Sequence, residues 1–197
     1  MPELNFKSLL DSVRRQESST DRYHDGPTKD LPIVNPRSGA RGPYQVVPGP
    51  AMEPGYGEFG AKSVFDIAEG LFPGKKFDRT EQSARDLLDI PEVNEAYAST
   101  YLQAMIDRFD GNVDQALSAY NYGPPATLNA DRKYQNVPPE TQRYIDNIRQ
   151  FYNQATGGGN YGITMSPRPQ MRPKGPPPPA APPTSLYPQM RPKGLLG

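Results

Sequence analysis

Phe6, Leu9, Leu10 and Val13 recur at helical spacing, and this period predicts a first helix over Pro2–Arg15. Glu17 follows Val13 by four residues and so continues the stripe, which directs it the way the apolar side chains point, inward or into a cleft. Thr20–Pro36 reads as a loop, because Gly26, Pro27, Pro32 and Pro36 interrupt any regular element, and Gly39–Pro50 is a second turn region of the same kind. Ser63–Phe72 is expected to be a short helix ended by Pro73-Gly74. Asp78-Arg79-Thr80-Glu81 has the capping-box pattern and is expected to start a helix running to Asp89. Pro91–Phe109 is the clearest helix, with proline in its first turn, a stripe of Val93, Tyr97, Tyr101 and Met105, and Gly111 just past its end. Asn112-Val113-Asp114-Gln115 caps a further helix carrying Ala116, Leu117 and Tyr120. Pro138 and Pro139 open a last helix to Ala155, with Tyr144, Ile145, Ile148, Phe151 and Tyr152 on its apolar side. No pair of strands is evident, and the expected class is mainly α.

Composition divides the chain. Gly157–Gly197 holds 11 of the 25 prolines, seven glycines and no acidic residue, so residues 1–156 are expected to form the globular part and 157–197 a disordered or extended tail. Gly157-Gly158-Gly159 reads as a hinge. Beyond it Pro169–Gly175 and Pro188–Gly194 are the same seven residues, Pro-Gln-Met-Arg-Pro-Lys-Gly. Pro176–Pro183 between them is expected to adopt polyproline II. Two readings stay open for the repeat: a duplicated linker, or two copies of a docking peptide.

The formal net charge is zero, but Arg168, Arg172, Lys174, Arg191 and Lys193 make the tail basic and leave the globular part acidic. This argues against a dedicated nucleic-acid binder. The chain has no cysteine, which excludes disulfides and thiolate metal sites. Met1–Phe6 shows no basic region leading into a long apolar stretch, so neither a signal peptide nor a membrane span is expected.

Glu17 is the candidate for chemistry. Cleaving a glycosidic bond requires a proton on the leaving oxygen, and an apolar setting makes a carboxylic acid able to supply it near neutral pH. Glycosidases ordinarily need a second carboxylate. Asp21, Asp25, Asp30 and Glu53 are nearest in sequence, but loop acids are usually solvated, and none is assigned. A one-acid mechanism works if the substrate supplies its own nucleophile.

Four motifs in order carry a resemblance: Glu17-Ser18-Ser19; Gly39-Ala40-Arg41-Gly42 with Gln45 and Pro48; Ala119-Tyr120-Asn121 with Gly123-Pro124; and Glu140-Thr141 with Tyr144-Ile145. Together with Tyr101-Leu102 and Phe109-Asp110-Gly111-Asn112 they resemble the soluble lytic transglycosylase (SLT) family over residues 10–152. The resemblance implies a lysozyme-like, α-rich fold and cleavage of the β-1,4 bond between N-acetylmuramic acid and N-acetylglucosamine. It implies Glu17 as general acid and then base, with a 1,6-anhydro sugar as product. It also implies that Gln45, Tyr120 and Asn121 line the sugar cleft and that Tyr144 sits near the acid. No cofactor or metal is implied.

Departures from the family pattern matter as well. Pro43-Tyr44 replaces the usual Leu-Met, so an aromatic sugar contact is expected at Tyr44. A serine common three residues before the first glycine is Pro36 here, and either Asn35 or Ser38 is left to serve instead. The long interval from Glu17 to Gly39 and the Pro-Tyr-Gln turn resemble transglycosylase domains of phage virion proteins. The implied setting is a phage particle that opens the host wall during genome entry, with other virion proteins as partners of the Pro-rich tail. A goose-type lysozyme with the same fold, an inactive structural virion protein, and an adaptor acting through its tail stay open as alternatives. His24, the only histidine, lies in the expected loop and cannot by itself build a metal site.

Overall fold

The computed structural model describes residues 4–18, 33–54, 61–124 and 136–157. Seven helices lie within them: α1 Phe6–Ser18, α2 Pro48–Met52, α3 Val64–Leu71, α4 Glu81–Leu88, α5 Pro91–Arg108, α6 Val113–Tyr122 and α7 Pro139–Thr156. Among the described residues there is no strand, only isolated antiparallel bridges from Arg41 to Val34 and to Val46. The mainly α class read from the sequence is the class observed. The Pro-rich repeats, the linking triglycine beyond Gly157, and His24 lie outside the described residues.

Helix α1 starts later and ends later than its apolar period predicts. Asn5 turns its Oδ1 onto the N–H of Ser8 at 3.0 Å and so caps the first turn, which sets the start at Phe6 rather than Pro2. The helix then runs through Ser18, so Glu17 belongs to its last turn. Ser12 and Ser18 are buried on this helix, and each hydroxyl donates to the carbonyl four residues back.

Helix α1 packs chiefly on α7. The Asn5 N–H donates to the Tyr152 hydroxyl at 3.0 Å, and the Arg15 guanidinium lies 4.2 Å from the Phe151 ring centre. Leu9 and Val13 of α1 and Ile145 and Ile148 of α7 are fully buried in one continuous core with Leu102 and Leu117. Each such side chain contributes about 1.5–3 kcal/mol by leaving water. No helix among the described residues is long and apolar enough to cross a membrane.

Local chemistry fixes the remaining helix ends. Ser63 caps α3 through Asp66 N–H and donates its hydroxyl to the Asp66 carboxylate, which Arg79 also meets at 2.7 Å. The Arg79 and Ser63 hydrogen bonds hold the Asp66 carboxyl below the usual aspartate range. The cap of α4 is Thr80, accepting from Ser83 N–H at 3.2 Å, and not the expected Asp78. The Asp78 carbonyl instead accepts from Thr80 N–H at 2.9 Å, a tight turn that leaves Asp78 outside the helix. Asn112 caps α6 as expected, accepting from Gln115 N–H at 3.1 Å. Pro48 opens α2 within the region read as turn alone. Arg149 of α7 pairs with Asp114 of α6, with Nε 3.1 Å from Oδ1.

Candidate active site

The segment from Ile33 to Val46 reverses twice. Asn35 and Ala40 join by a 2.8 Å backbone bond, and Arg41 and Val46 exchange both of their hydrogen bonds. Between them Gly39 and Gly42 take φ of +70° and +71°, a region that glycine enters without the strain other residues incur. Gln45 takes φ of 50° and is held there by its own side chain, whose Nε2 donates to the Gly42 carbonyl at 3.0 Å.

Asn94 fixes this double turn to the helices. It is fully buried in α5. Its Oδ1 accepts from Tyr44 N–H at 3.1 Å, and its Nδ2 donates to the carbonyls of Arg41 at 2.9 Å and Leu88 at 3.1 Å. All of its near hydrogen-bonding capacity is thus spent on the backbone, which is why a polar side chain is tolerated there. Arg41 adds an ion pair to Asp89 at the end of α4.

A cleft opens between the turn and the helices. Glu17 reaches it from α1; Asn35, Ser38 and Gln45 from the turn; Pro50 from α2; Tyr97 and Tyr101 from α5; and Tyr120 and Asn121 from α6. Glu17 is half-buried there, and the Tyr144 hydroxyl of α7 donates to its Oε1 at 2.8 Å. Tyr144 itself is 2 % exposed, so it reaches the acid from behind the cleft wall. Thr141, one turn earlier on α7, donates to the Asn121 Oδ1 at 3.0 Å. This commits the amide oxygen of Asn121 and leaves its Nδ2 as the donor end.

Aromatic rings build the floor. Tyr97 and Tyr101 stack with centroids 5.9 Å apart, and Tyr120 meets Tyr101 edge-on at 5.7 Å. Burial pushes the Tyr97 and Tyr120 hydroxyls well above the usual tyrosine range; at Tyr120 the Glu17 charge adds to the effect. Both are therefore neutral phenols near neutral pH.

The expected site residues divide by place. Glu17, Gln45, Tyr120 and Asn121 come together on the cleft, and Tyr144 touches Glu17. Tyr44 lies elsewhere. Its side chain is 1 % exposed in the core and not on the cleft wall, and its backbone carbonyl accepts from the Tyr120 hydroxyl at 3.2 Å. The expected aromatic sugar contact at Tyr44 is therefore replaced by a supporting role, because Asn94 draws the Tyr44 backbone inward. Asn35 and Ser38 both line the cleft, which puts both alternatives for the missing serine on the wall.

Tyr97 and Tyr101 are cleft residues that the sequence reading assigned to a core stripe. The available signal was their type. Two tyrosines one turn apart, where Leu or Phe would serve a core, bring two hydroxyls that need a partner. The Tyr97 hydroxyl has no hydrogen-bond partner among the described residues, although the residue is 4 % exposed. Of the acids nearest Glu17 in sequence, Glu53 is exposed at the end of α2 and does not line the cleft, while Asp21, Asp25 and Asp30 lie outside the described residues. Among the described residues no cluster of His, Asp or Glu is arranged to hold a metal ion.

Residues 73–142 match the family model described as Transglycosylase SLT domain. The match supports the SLT, lysozyme-like family and implies peptidoglycan as the substrate class. It takes in α4, α5 and α6 and the start of α7, and so the cleft tyrosines, Asn121 and Thr141. Glu17, the double turn and Tyr144 stand outside it. No solved structure matches the chain.

Proposed function

We propose that the protein is a peptidoglycan lytic transglycosylase in which Glu17 is both general acid and general base. The observation that carries this reading is the Tyr144–Glu17 hydrogen bond at the cleft. The Tyr144 hydroxyl donates to Oε1 and so holds the carboxyl in place at the cleft. The neutral acid gives its proton to the bridging oxygen between N-acetylmuramic acid and N-acetylglucosamine, and the C1–O bond breaks. The carboxylate then takes the proton of the C6 hydroxyl of the muramic residue as that oxygen bonds to C1. The products are a 1,6-anhydro end and a free 4-hydroxyl, and no water is consumed.

Two features support this reading. Glu17 is the one carboxylate lining the cleft among the described residues, so no described side chain offers a second acid or base there. The aromatic floor of Tyr97, Tyr101 and Tyr120 suits the apolar faces of sugar rings. Gln45 and Asn121 supply polar contacts at the edges.

The setting proposed is a phage particle, where the enzyme opens the host wall during genome entry and the basic Pro-rich repeats dock on other virion proteins. The long interval between Glu17 and Gly39, the Pro-Tyr-Gln turn and the exact duplication in the tail support it. Mass spectrometry of products from purified wall tests the chemistry. Anhydro-muramic ends are expected; reducing ends would assign the same cleft to a hydrolase of the goose-lysozyme kind.

A further inference from the structure

The lining of the cleft has two origins. Glu17 and its partner Tyr144 come from α1 and α7, which pack on each other. Gln45, Val46 and Pro50 come from the double turn and α2, and this part rests on the C-terminal end of α4. Helix α2 packs on α4. The Leu88 carbonyl accepts from the Asn94 amide that also binds the Arg41 carbonyl. Asp89, the residue that ends α4, accepts from Arg41 Nη1. Arg41 exchanges both backbone hydrogen bonds with Val46, the neighbour of Gln45. A shift of the Arg41 side chain is therefore passed through two backbone bonds to residues of the lining. Neither Arg41 nor Asp89 lines the cleft itself.

As a fastening the ion pair is incomplete. Its two side chains are largely buried, at 18 % and 22 % exposure. Arg41 Nε and Asp89 Oδ1 are buried as well and have no hydrogen-bond partner among the described residues. The pair thus makes one bond where the same two groups could form a fork of two. Taking two charges out of water for one bond is poorly offset, and apolar side chains of similar size often serve stability as well or better. What apolar contact lacks is direction. A charge-assisted hydrogen bond fixes one atom against another, and burial of apolar surface does not.

We infer that Asp89 is a positioning residue for glycan binding: through Arg41 it sets the Gly-Ala turn, and with it Gln45, against the cleft. The inference rests on the glycan reading proposed above. The pair then governs how tightly glycan is held and leaves the proton transfers of Glu17 alone, because Glu17 and Tyr144 stand on helices that carry neither of its residues. Loss of a contact that holds substrate and transition state equally raises KM and spares kcat.

The full-length chain is assayed on peptide-free glycan strands from purified wall, with KM, kcat and melting temperature measured on each preparation. Asp89→Asn keeps the shape of the side chain and removes its charge. KM is expected to rise roughly tenfold, the lower end of the scale for one charge-assisted hydrogen bond, with kcat close to that of the unaltered chain. Arg41→Met together with Asp89→Leu is the discriminating variant, because it exchanges the ion pair for an apolar one. Its melting temperature should be retained or raised, while KM rises at least as far as in Asp89→Asn. Added to Glu17→Gln, which holds glycan without cleaving it, the apolar pair should weaken binding of the strands by the same factor.

A normal KM in the apolar-pair variant overturns the inference and leaves the ion pair as support for the fold alone, with the glycan reading standing. A fall in kcat at unchanged KM also overturns it, because the pair would then act on the acid. Should the apolar pair fail to fold, Asp89→Asn decides by the same criterion on KM. If the unaltered chain neither binds nor cleaves the strands, the glycan reading itself fails and takes this inference with it.

Discussion

The side chain of Asn94 occupies the space that a Cβ at position 42 would need. A methyl built on Gly42 would stand 2.3 Å from the Asn94 amide carbon, and Gly42 also holds φ of +71°. The backbone of the Gly-Ala turn can lie this close to α5 only because residue 42 has no side chain. That approach brings Gln45 to the cleft.

Gly39 supplies the control. It has nearly the same dihedral, φ of +70°, with nothing near its Cβ position. Gly39→Ala should therefore cost only the left-handed strain, about 1 kcal/mol. Gly42→Ala adds the collision with Asn94, and the two effects together should cost about 2–4 kcal/mol. Thermal melts of the pair measure the difference. Equal melting temperatures for the two variants would mean that Asn94 moves aside without cost.

Tyr144→Phe removes the hydroxyl that meets Glu17 and keeps the ring that fills the core. Turnover on purified wall should fall roughly 10- to 100-fold, the equivalent of about 1.5–3 kcal/mol for a hydrogen bond to an acid that becomes charged. The melting temperature should move little. A variant that melts lower but turns over normally would make Tyr144 a core residue only.

Tyr97→Phe tests the unassigned hydroxyl on the cleft floor. The hydroxyl has no partner among the described residues, so the folded protein loses nothing by its removal and should melt at the same temperature or slightly higher. Glycan affinity of the Glu17→Gln protein should fall several-fold, the scale of one neutral hydrogen bond. Unchanged affinity would restrict Tyr97 to stacking on Tyr101.

Much of the frame was legible in the sequence because it is written in local terms. Pro91 and Gly111 bound α5, Asn112 caps α6, and apolar stripes mark α1 and α7. Glu17 could be directed to the cleft by its stripe. What could not be read locally depends on contacts distant in sequence. Asn94 is unremarkable in its helix until its three bonds to the turn and to Leu88 are seen. The same residue draws Tyr44 inward and takes its ring off the wall. Tyr97 and Tyr101 have a periodicity that suits a core, and only the packed arrangement opens one edge of that core to ligand.

The central claim is that Glu17 carries the proton, and one measurement tests it most directly: the rate at which the Glu17→Gln protein cleaves purified peptidoglycan, at a concentration where its melting temperature matches that of the unaltered chain. The amide has nearly the shape of the acid and can still accept from Tyr144, but it cannot give or take the proton. The rate is expected to fall at least about a hundredfold, the usual scale of general acid–base catalysis. A folded Gln variant that cleaves the wall at close to the original rate would contradict the account and remove Glu17 from the mechanism.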